Sequence, residues 1–294
     1  MTGKTRGWDI VSGIGITALA VAAARAVETS RDDGLVRDPF AGVFVEAASP
    51  PIPMPTRSEP DAPDHVVWDH MSRFVGVRSR FFDEFLTGAL ASGPGQVVIL
   101  AAGLDSRAFR LDQPQGTTVF EIDQPRVLEF KDQVLEARGA TPRCDRRVVP
   151  ADLREDWASS LGGAGFDRET PTIWLVEGLL PYLPDDLATT LLDVVHGLSA
   201  KGSVLAAEHF DDTRPLRDDP EVAELSKRFS IDFQAMLDQG GTQLDPGKYL
   251  GSQGWQGHGE SANALSQRYG KPLEGFSAKV FGGNGHYFTG TLEG

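Results

Sequence analysis

Short apolar runs alternate with amphipathic stretches from residue 97 onwards, and this alternation predicts a parallel sheet covered by helices. Five runs have the length and apolar content of buried strands, and they cover residues 97–101, 117–122, 147–150, 172–177 and 203–208. Helices are expected between them. The clearest covers residues 184–198 and carries Asp185 and Asp186 in its first turn, where the helix dipole favours acids.

Two more strands are expected at the end of the chain, over residues 277–281 and 286–292. The residues between them, 282–285, read GGNG and indicate a hairpin, because glycine and asparagine adopt the positive φ angles of tight turns. The prediction is therefore an α/β fold: a Rossmann-like, mostly parallel, seven-stranded sheet with an antiparallel terminal hairpin.

Residues 1–90 are expected to form a helical extension packed on a core of residues 91–294. Phe74, Val77, Phe81 and Phe85 recur at helical spacing near the end of this extension. Six prolines between residues 50 and 63 exclude regular structure there. This loop is either a passive linker or a segment that covers the active site.

Within the core, residues 211–270 are polar and rich in glycine, with a helix expected over residues 220–239. We interpret this stretch as a lid insertion over the carboxyl ends of the strands, where substrates bind in such sheets. A surface excursion without a role is the alternative.

The apolar stretch over residues 10–24 follows Lys4 and Arg6 and ends in three alanines, which resembles a signal peptide. Asp9 interrupts its beginning, however, and the stretch is too short to span a bilayer. We favour a helix that is capped near Thr17 and continues over residues 18–28 against the main domain.

The net charge of −14 weighs against nucleic acid as a partner, because binding to a phosphate backbone needs a basic surface. The single cysteine, Cys144, excludes an intrachain disulfide and leaves no clustered thiols for a metal. We therefore expect a cytoplasmic protein with neither a metal nor a membrane partner. The oligomeric state is left open.

A cofactor site is indicated where the first two predicted strands end. The first leads to Gly103, whose missing side chain lets a ligand approach the backbone, and the second leads to Asp123, 20 residues further on. Open α/β sheets hold an adenosine in this way. The dinucleotide pattern G-x-G-x-x-G is not met, since of its three glycine positions, 101, 103 and 106, only Gly103 holds a glycine. A cofactor without phosphate, S-adenosylmethionine, suits the turn better.

Two more acids follow predicted strands. Asp152 comes after the third strand, where it can accept from the adenine amine while Leu153 flanks the ring. Glu177 ends the fourth strand, near the expected position of the methionine part and its sulfonium. Arg78 is a candidate for the cofactor's carboxylate, which a guanidinium can bind through two hydrogen bonds. Each acid alone fits a helix cap or a solvated position, but acids at three successive strand ends favour a cofactor site.

The chain resembles the leucine carboxyl methyltransferase-like branch of class I S-adenosylmethionine-dependent methyltransferases, in particular its bacterial O-methyltransferases of secondary metabolism. The matching segments lie mostly between residues 10 and 210 and are TALAVAAARAVE, DPFA, VRSRFFDEFL, ILAAGLDSRAFRL, FEIDQP, ADL and EGLLPYLP. The resemblance implies S-adenosyl-L-methionine as cofactor and S-adenosyl-L-homocysteine as product. The cofactor contacts that it implies are Arg78, Ala101, Gly103, Asp123, Asp152, Leu153 and Glu177. At Ala101 relatives often carry glycine, and the region after residue 210 matches poorly.

Two acceptor classes are open. A carboxylate of a small molecule or peptide is ionised at neutral pH and needs no general base, so catalysis would be mostly orientation. A hydroxyl of a polyketide-like or phenolic metabolite would need a base, for which His209, His286 and His70 are candidates. Tyr182 is a candidate for orienting a substrate oxygen. A binding module that senses the cofactor and a nicotinamide dehydrogenase are the alternatives from other classes.

Overall fold

The fold is a mixed seven-stranded sheet between two apolar layers. The computed structural model describes residues 14–50, 52–93, 95–211, 220, 223–224 and 244–293. Its strands are β1 Gln96–Leu100, β2 Thr118–Asp123, β3 Asp145–Pro150, β4 Thr172–Val176, β5 Val204–Phe210, β6 Trp255–Ser261 and β7 Gly285–Leu292. Their order across the sheet is β3-β2-β1-β4-β5-β7-β6.

The first five strands are parallel, and β7 lies antiparallel to both β5 and β6. All five predicted parallel strands are confirmed, each to within two residues at either end. The strand order reverses at β1, which has β2 on one side and β4 on the other. The crevice in which open α/β sheets bind ligands therefore lies above the carboxyl ends of these strands.

Helices cover both faces of the sheet. The described ones are α1 Ile14–Thr29, α2 Ala41–Ala48, α3 His65–Ala91, α4 Arg107–Arg110, α5 Pro125–Ala137, α6 Trp157–Gly163, α7 Asp185–Gly197, α8 Pro246–Gly251 and α9 Ala262–Arg268. The predicted helices over residues 18–28 and 184–198 are confirmed as α1 and α7, but the expected cap near Thr17 is wrong, because Thr17 lies inside α1. The helix predicted over 220–239 lies almost wholly outside the described residues. No helix in the described part of the chain has both the length and the apolarity to cross a membrane.

Alternate residues of β1 belong to different apolar layers, because successive side chains of a strand point to opposite faces. Val97 and Ile99 pack in the layer that contains α1 and α3. Val98 and Leu100 pack in the layer that contains α6 and α7. All five residues of β1 are buried, which explains the continuous apolar run in the sequence.

The prediction of a terminal hairpin is wrong in one strand. Residues 275–277 form a helical turn and residues 278–282 a π-helical turn, so no strand covers 277–281. Phe276 and Val280 are four residues apart and both are buried, a spacing that suits a helix. On the side away from β5, β7 pairs with β6, a polar edge strand in which only Trp255 is fully buried. Because β6 lacks an alternation of apolar and polar residues, its sequence did not stand out from the rest of the stretch interpreted as an insertion.

A buried ion pair ties α1 to the core. Arg25 Nε donates to Asp38 Oδ2 at 2.6 Å, and Arg25 Nη2 donates to the carbonyl of Leu104, in the loop after β1, at 2.7 Å. The other oxygen of Asp38 accepts from the backbone N–H groups of Phe40 and Ala41 at the start of α2. One carboxylate thereby connects α1, α2 and the loop that follows β1.

The described part of the proline-rich loop packs on the extension. Met54 is buried in the layer that contains α1 and α3, and Thr56 lies against Gly42 of α2. The backbone N–H of Ser58 donates to Ser30 Oγ at 2.8 Å. The loop is therefore packed rather than a free linker.

Replacing Asp38 by Asn removes the charge that compensates buried Arg25, and we expect the free energy of unfolding to fall by about 3–5 kcal/mol. Burial opposes ionisation of Asp38, but Arg25, Arg110 and the hydrogen bonds to the carboxylate together outweigh it, and the pKa lies below its usual value. The stabilisation is therefore present above about pH 4, and the loss should shrink as the pH falls below that value. Urea unfolding at several pH values measures both effects.

Glu46→Gln is the matched control, because Glu46 forms an exposed ion pair with Arg138 at 3.4 Å. Its unfolding free energy should change by no more than about 0.5 kcal/mol. Equal, small losses in both variants would contradict an anchoring role for Asp38.

Candidate functional site

The turn after β1 and the acid at the end of β2 are joined directly. The backbone N–H of Gly103 donates to Asp123 Oδ2 at 2.6 Å, and that of Gln124 donates to Oδ1 at 2.6 Å. Burial raises the pKa of Asp123, against the opposing effect of these two donors. Each carboxylate oxygen keeps acceptor capacity for a further donor, such as a ribose hydroxyl.

The backbone of this turn takes an unusual conformation and leaves room for a ligand. Ala101 and Gly103 have φ angles of +51° and +47°, in the left-handed region. A Cβ atom placed on Gly103 would meet nothing closer than the Ala101 carbonyl at 3.8 Å and the Ala18 side chain at 3.9 Å. The surface above Gly103 is therefore open to close approach.

Asp152 lies beside Asp123 at the next strand end, because the N–H of Ala151 donates to the Asp123 carbonyl at 3.0 Å. Arg154 donates to Asp152 through Nε, at 2.9 Å, and Nη2, at 2.5 Å. These hydrogen bonds hold the pKa of Asp152 far below its usual value, so the carboxylate is ionised at neutral pH. Leu153 is half-buried and packs against the apolar layer of α6 and α7.

Glu177, directly after β4, binds two arginines. Its Oε1 lies 2.9 Å from Arg78 Nε, and its Oε2 accepts from Arg107 Nη1 at 2.7 Å. The Arg78 side chain is only 10% exposed, so it is not a solvated position on α3. Although burial acts to lower it, the carboxylates of Glu208 and Glu177 raise the pKa of Arg78, which stays charged.

These residues belong to a larger cluster that sequence reasoning missed. Arg107 Nε donates to Asp83 Oδ1 at 2.7 Å, its Nη1 donates to Asp105, and Arg110 binds both oxygens of Asp83 at 2.7 Å. We call the cluster the arginine network, and its members are Asp83, Asp105, Glu177, Glu208, Arg78, Arg107 and Arg110. Its acids come from α3, the loop after β1, and the ends of β4 and β5, which no sequence spacing relates.

Glu208 is the most buried acid of the network, at 1% exposed. Its Oε2 accepts from the N–H of Gly178 at 2.8 Å and lies 3.4 Å from Arg78 Nη1. Tyr182 and Tyr287 also face Glu208. Burial raises the pKa of Tyr182 to about 12, so this candidate is a hydrogen-bond donor and not a base at neutral pH.

The histidine candidates lie elsewhere. His209 follows Glu208 in β5 and therefore points to the opposite face of the sheet. It is paired in register with His286 of β7, and the two rings stack with centroids 5.4 Å apart. His286 Nε2 lies 2.9 Å from Asp211 Oδ2. Burial lowers the pKa of His209 to about 4, so its ring is neutral near pH 7.

His70, the third candidate, does not join this pair. It packs against the backbone of Gly275, where an added Cβ atom would lie 2.1 Å from the ring. The structure therefore brings the seven expected cofactor residues and Tyr182 to one edge of the sheet and leaves His70 outside that group.

The donors and acceptors present suit S-adenosylmethionine. Glu208 is a buried carboxylate whose ion-pair contact with Arg78 is long, at 3.4 Å, and the amino acid group of the cofactor offers an ammonium that can approach it. The third position of the dinucleotide pattern holds the buried Ser106, and α4, which follows it, is only four residues long. A pyrophosphate is therefore not accommodated as it is at a glycine-rich helix start.

Replacing Ala101 by Gly should raise the free energy of unfolding by up to about 1 kcal/mol, because a left-handed residue with a Cβ atom is strained. The greater flexibility of glycine in the unfolded chain offsets part of that gain. Ala102, which is buried and lacks a positive φ, is the control. Its replacement by Gly should lower the free energy of unfolding by about 1 kcal/mol. Urea unfolding compares them, and equal losses would contradict strain at Ala101.

The chain is similar to two bacterial proteins with the same name, "Putative S-adenosyl-L-methionine-dependent methyltransferase". The one from Saccharopolyspora erythraea is 48% identical over 266 residues, which cover 90% of this chain and 91% of that protein. The one from Mycobacteroides abscessus is 47% identical over 272 residues, which cover 90% of this chain and 86% of that protein.

Two solved structures share the fold. A crystal structure of a "putative methyltransferase" from Thermobifida fusca has a TM-score of 0.54 at 15% identity and covers 94% of both chains. That of a DUF574 family protein from Streptomyces avermitilis has a TM-score of 0.52 at 14% identity and covers 94% of this chain and 96% of that one. The expected Rossmann-like class I methyltransferase fold is thereby confirmed.

The family model described as leucine carboxyl methyltransferase matches residues 18–196. This range is more than half of the chain, and it contains the Gly103 turn and the acids at the ends of β2, β3 and β4. Two relatives are more than 40% identical over nine-tenths of the chain. The chain therefore belongs to the leucine carboxyl methyltransferase family, as its sequence motifs indicated.

Proposed function

We propose that this protein is an O-methyltransferase that transfers a methyl group from S-adenosylmethionine to a carboxylate of a small molecule or peptide, of the kind found in secondary metabolism. The observation that carries the proposal is the chemistry around the arginine network. Among the described residues, the titratable groups that face Glu208 are Arg78, Glu177, Tyr182 and Tyr287. The arginine and the two tyrosines are protonated at neutral pH and are not bases for a hydroxyl, Glu177 is bound to two arginines, and a carboxylate needs no base.

The cofactor expected from the sequence agrees with the names of the relatives, which state S-adenosyl-L-methionine dependence. In the proposed complex, Asp123 accepts from the ribose hydroxyls and Asp152 from the adenine amine, with Leu153 beside the ring. Arg78 binds the carboxylate of the methionine part. When bound, the cofactor supplies an electrophilic methyl group on a sulfonium.

The work left to the protein is positioning and the exclusion of water. Glu177 fixes the guanidinium groups of Arg78 and Arg107 by binding one with each oxygen. α1 lies against the Gly103 turn through Ala18 and is tied to the same loop by Arg25. These contacts hold the turn in place, so the acceptor oxygen need only be aligned with the methyl–sulfur axis.

Hydroxyl O-methylation of a polyketide-like or phenolic metabolite is the second candidate, and the stacked histidine pair favours it. His209 is neutral near pH 7, and His286 has a carboxylate partner in Asp211, as an oriented base would. The pair lies near the carboxyl end of β5, the edge where acceptors bind. Its position on the other face from Arg78 is the reason we place this candidate second.

The acceptor class is testable with cofactor that carries a deuterated methyl group. The protein is incubated with matched carboxylic acids and phenols, and products are detected by mass spectrometry. We expect labelled products from the acids only, and mild base should release the label because it hydrolyses esters but not aryl ethers. Labelled ethers that resist base, and that are lost in His209→Ala and His286→Ala variants, would support the second candidate instead.

Asp123→Asn removes a charged acceptor at the proposed ribose position and should weaken binding of S-adenosylmethionine by about tenfold or more. Glu129→Gln, an exposed position on α5, is the control and should bind as the unmodified protein does. Isothermal titration calorimetry measures both. Unchanged affinity in Asp123→Asn would remove Asp123 from the cofactor site.

A further inference from the structure

The arginine network contains more acids than bases. Four carboxylates and three guanidinium groups are joined by ion pairs with N–O distances of no more than 3.4 Å. Neighbouring cations do not correct the difference. Arg25 is matched by Asp38, and Lys131 and Arg146 are matched by Glu121 and Asp132. Within the described residues, the network therefore carries one uncompensated negative charge when all its members are ionised.

Glu208 is the acid with the weakest compensation. Asp83, Asp105 and Glu177 each have a guanidinium nitrogen within 2.9 Å, whereas the guanidinium nitrogen of Arg78 that pairs with Glu208 lies 3.4 Å from it. Its Oε1 is buried, and Tyr287, the hydroxyl that interacts with this carboxylate, is neutral and supplies no positive charge. A buried carboxylate in this state is costly, and a nearby cation would stabilise it.

The other groups that face Glu208 do not provide that cation. Arg78 comes from α3, Glu177 and the N–H of Gly178 from the end of β4, Tyr182 from the following turn, and Tyr287 from β7. Arg78 is shared with Glu177, whose other oxygen is bound to Arg107. Both tyrosines stay neutral at physiological pH, because burial raises their pKa values.

The two forms of the cofactor differ in charge at the reacting atom. S-adenosylmethionine carries a carboxylate, an ammonium and a sulfonium, so its net charge is +1. S-adenosylhomocysteine has lost the sulfonium and is neutral overall. The extra positive charge of the methyl donor is equal in size to the uncompensated negative charge of the network. In a poorly solvated site, charges several ångströms apart interact strongly without contact.

We propose that Glu208 is a buried counter-charge for the sulfonium, through which the protein favours the methyl donor over the demethylated product. The inference rests on the proposed function, since it requires S-adenosylmethionine to bind at this edge of the sheet. Glu208 would act through the field of its carboxylate. Glu177 has a different role, because its two oxygens hold Arg107 and Arg78, and Arg78 is the residue proposed to bind the carboxylate common to the two ligands.

Calorimetric titration of the full chain with S-adenosylmethionine and S-adenosylhomocysteine separates these roles. In Glu208→Gln, which keeps an acceptor for the Gly178 N–H, affinity for S-adenosylmethionine should fall by about tenfold, or about 1.4 kcal/mol. Affinity for S-adenosylhomocysteine should change by less than about threefold. Sinefungin, an unreactive analogue with an amine near the sulfonium position, should follow S-adenosylmethionine.

Two further Glu→Gln variants serve as comparisons. Glu177→Gln should weaken both cofactor forms alike, since it loosens Arg78 and Arg107. Glu84→Gln, on the exposed face of α3, should change neither. Equal weakening of both ligands by Glu208→Gln would overturn the inference, as would no effect on either. If the unmodified protein binds neither ligand, the proposed function itself fails.

The unmodified protein offers a second test that does not depend on a folded variant. Burial raises the pKa of Glu208, against the effect of Arg78, so Glu208 binds a proton more readily than a solvated glutamate does. A sulfonium favours the ionised form and should release protons, whereas S-adenosylhomocysteine should release fewer. Calorimetric titration at about pH 5.5, repeated in buffers of different ionisation enthalpy, measures the number of protons released on binding. Equal release by both ligands would contradict the inference.

Discussion

The pairing of Arg107 with three carboxylates holds the functional edge of this protein together. Asp83 belongs to α3, Asp105 to the loop after β1 and Glu177 to the end of β4, and all three contact one guanidinium. Its side chain is only 4% exposed, so water cannot replace these partners. Removing a charge from such a site leaves the others uncompensated, at a cost of several kcal/mol. The relative positions of the helical extension and the sheet therefore depend on charge balance as well as on apolar packing.

This arrangement differs from that of a dinucleotide site. A dinucleotide-binding turn offers glycine backbone and a helix N-terminus to a pyrophosphate. Here the turn contains one glycine, Gly103, and is followed by a single helical turn whose arginines bind buried acids. The loop is held from outside by side chains, including Arg25 of α1. Such a site suits a ligand that brings a positive charge and no phosphate.

The sheet also separates two kinds of chemistry. Glu208 and His209 are neighbours in β5, but one faces the arginine network and the other the stacked histidine pair. The network side holds charged groups, whereas the histidine side holds the His209 ring, which burial keeps neutral near pH 7, and the stacked ring of His286. The groups that support the two proposed acceptor classes therefore lie on opposite faces of one strand.

The amino-acid sequence by itself determined the parallel core of the fold and the turn at Gly103 and Asp123. Strands buried on both faces leave continuous apolar runs, and an acid at a strand end is visible in the local pattern. The sequence did not reveal β6, because an edge strand with polar faces has no apolar period. It did not reveal Glu208 either, since the role of an acid inside an apolar run can be recognised only when its partners are known. Only the tertiary structure decided which arginine meets which carboxylate, because these pairs join residues up to 130 positions apart.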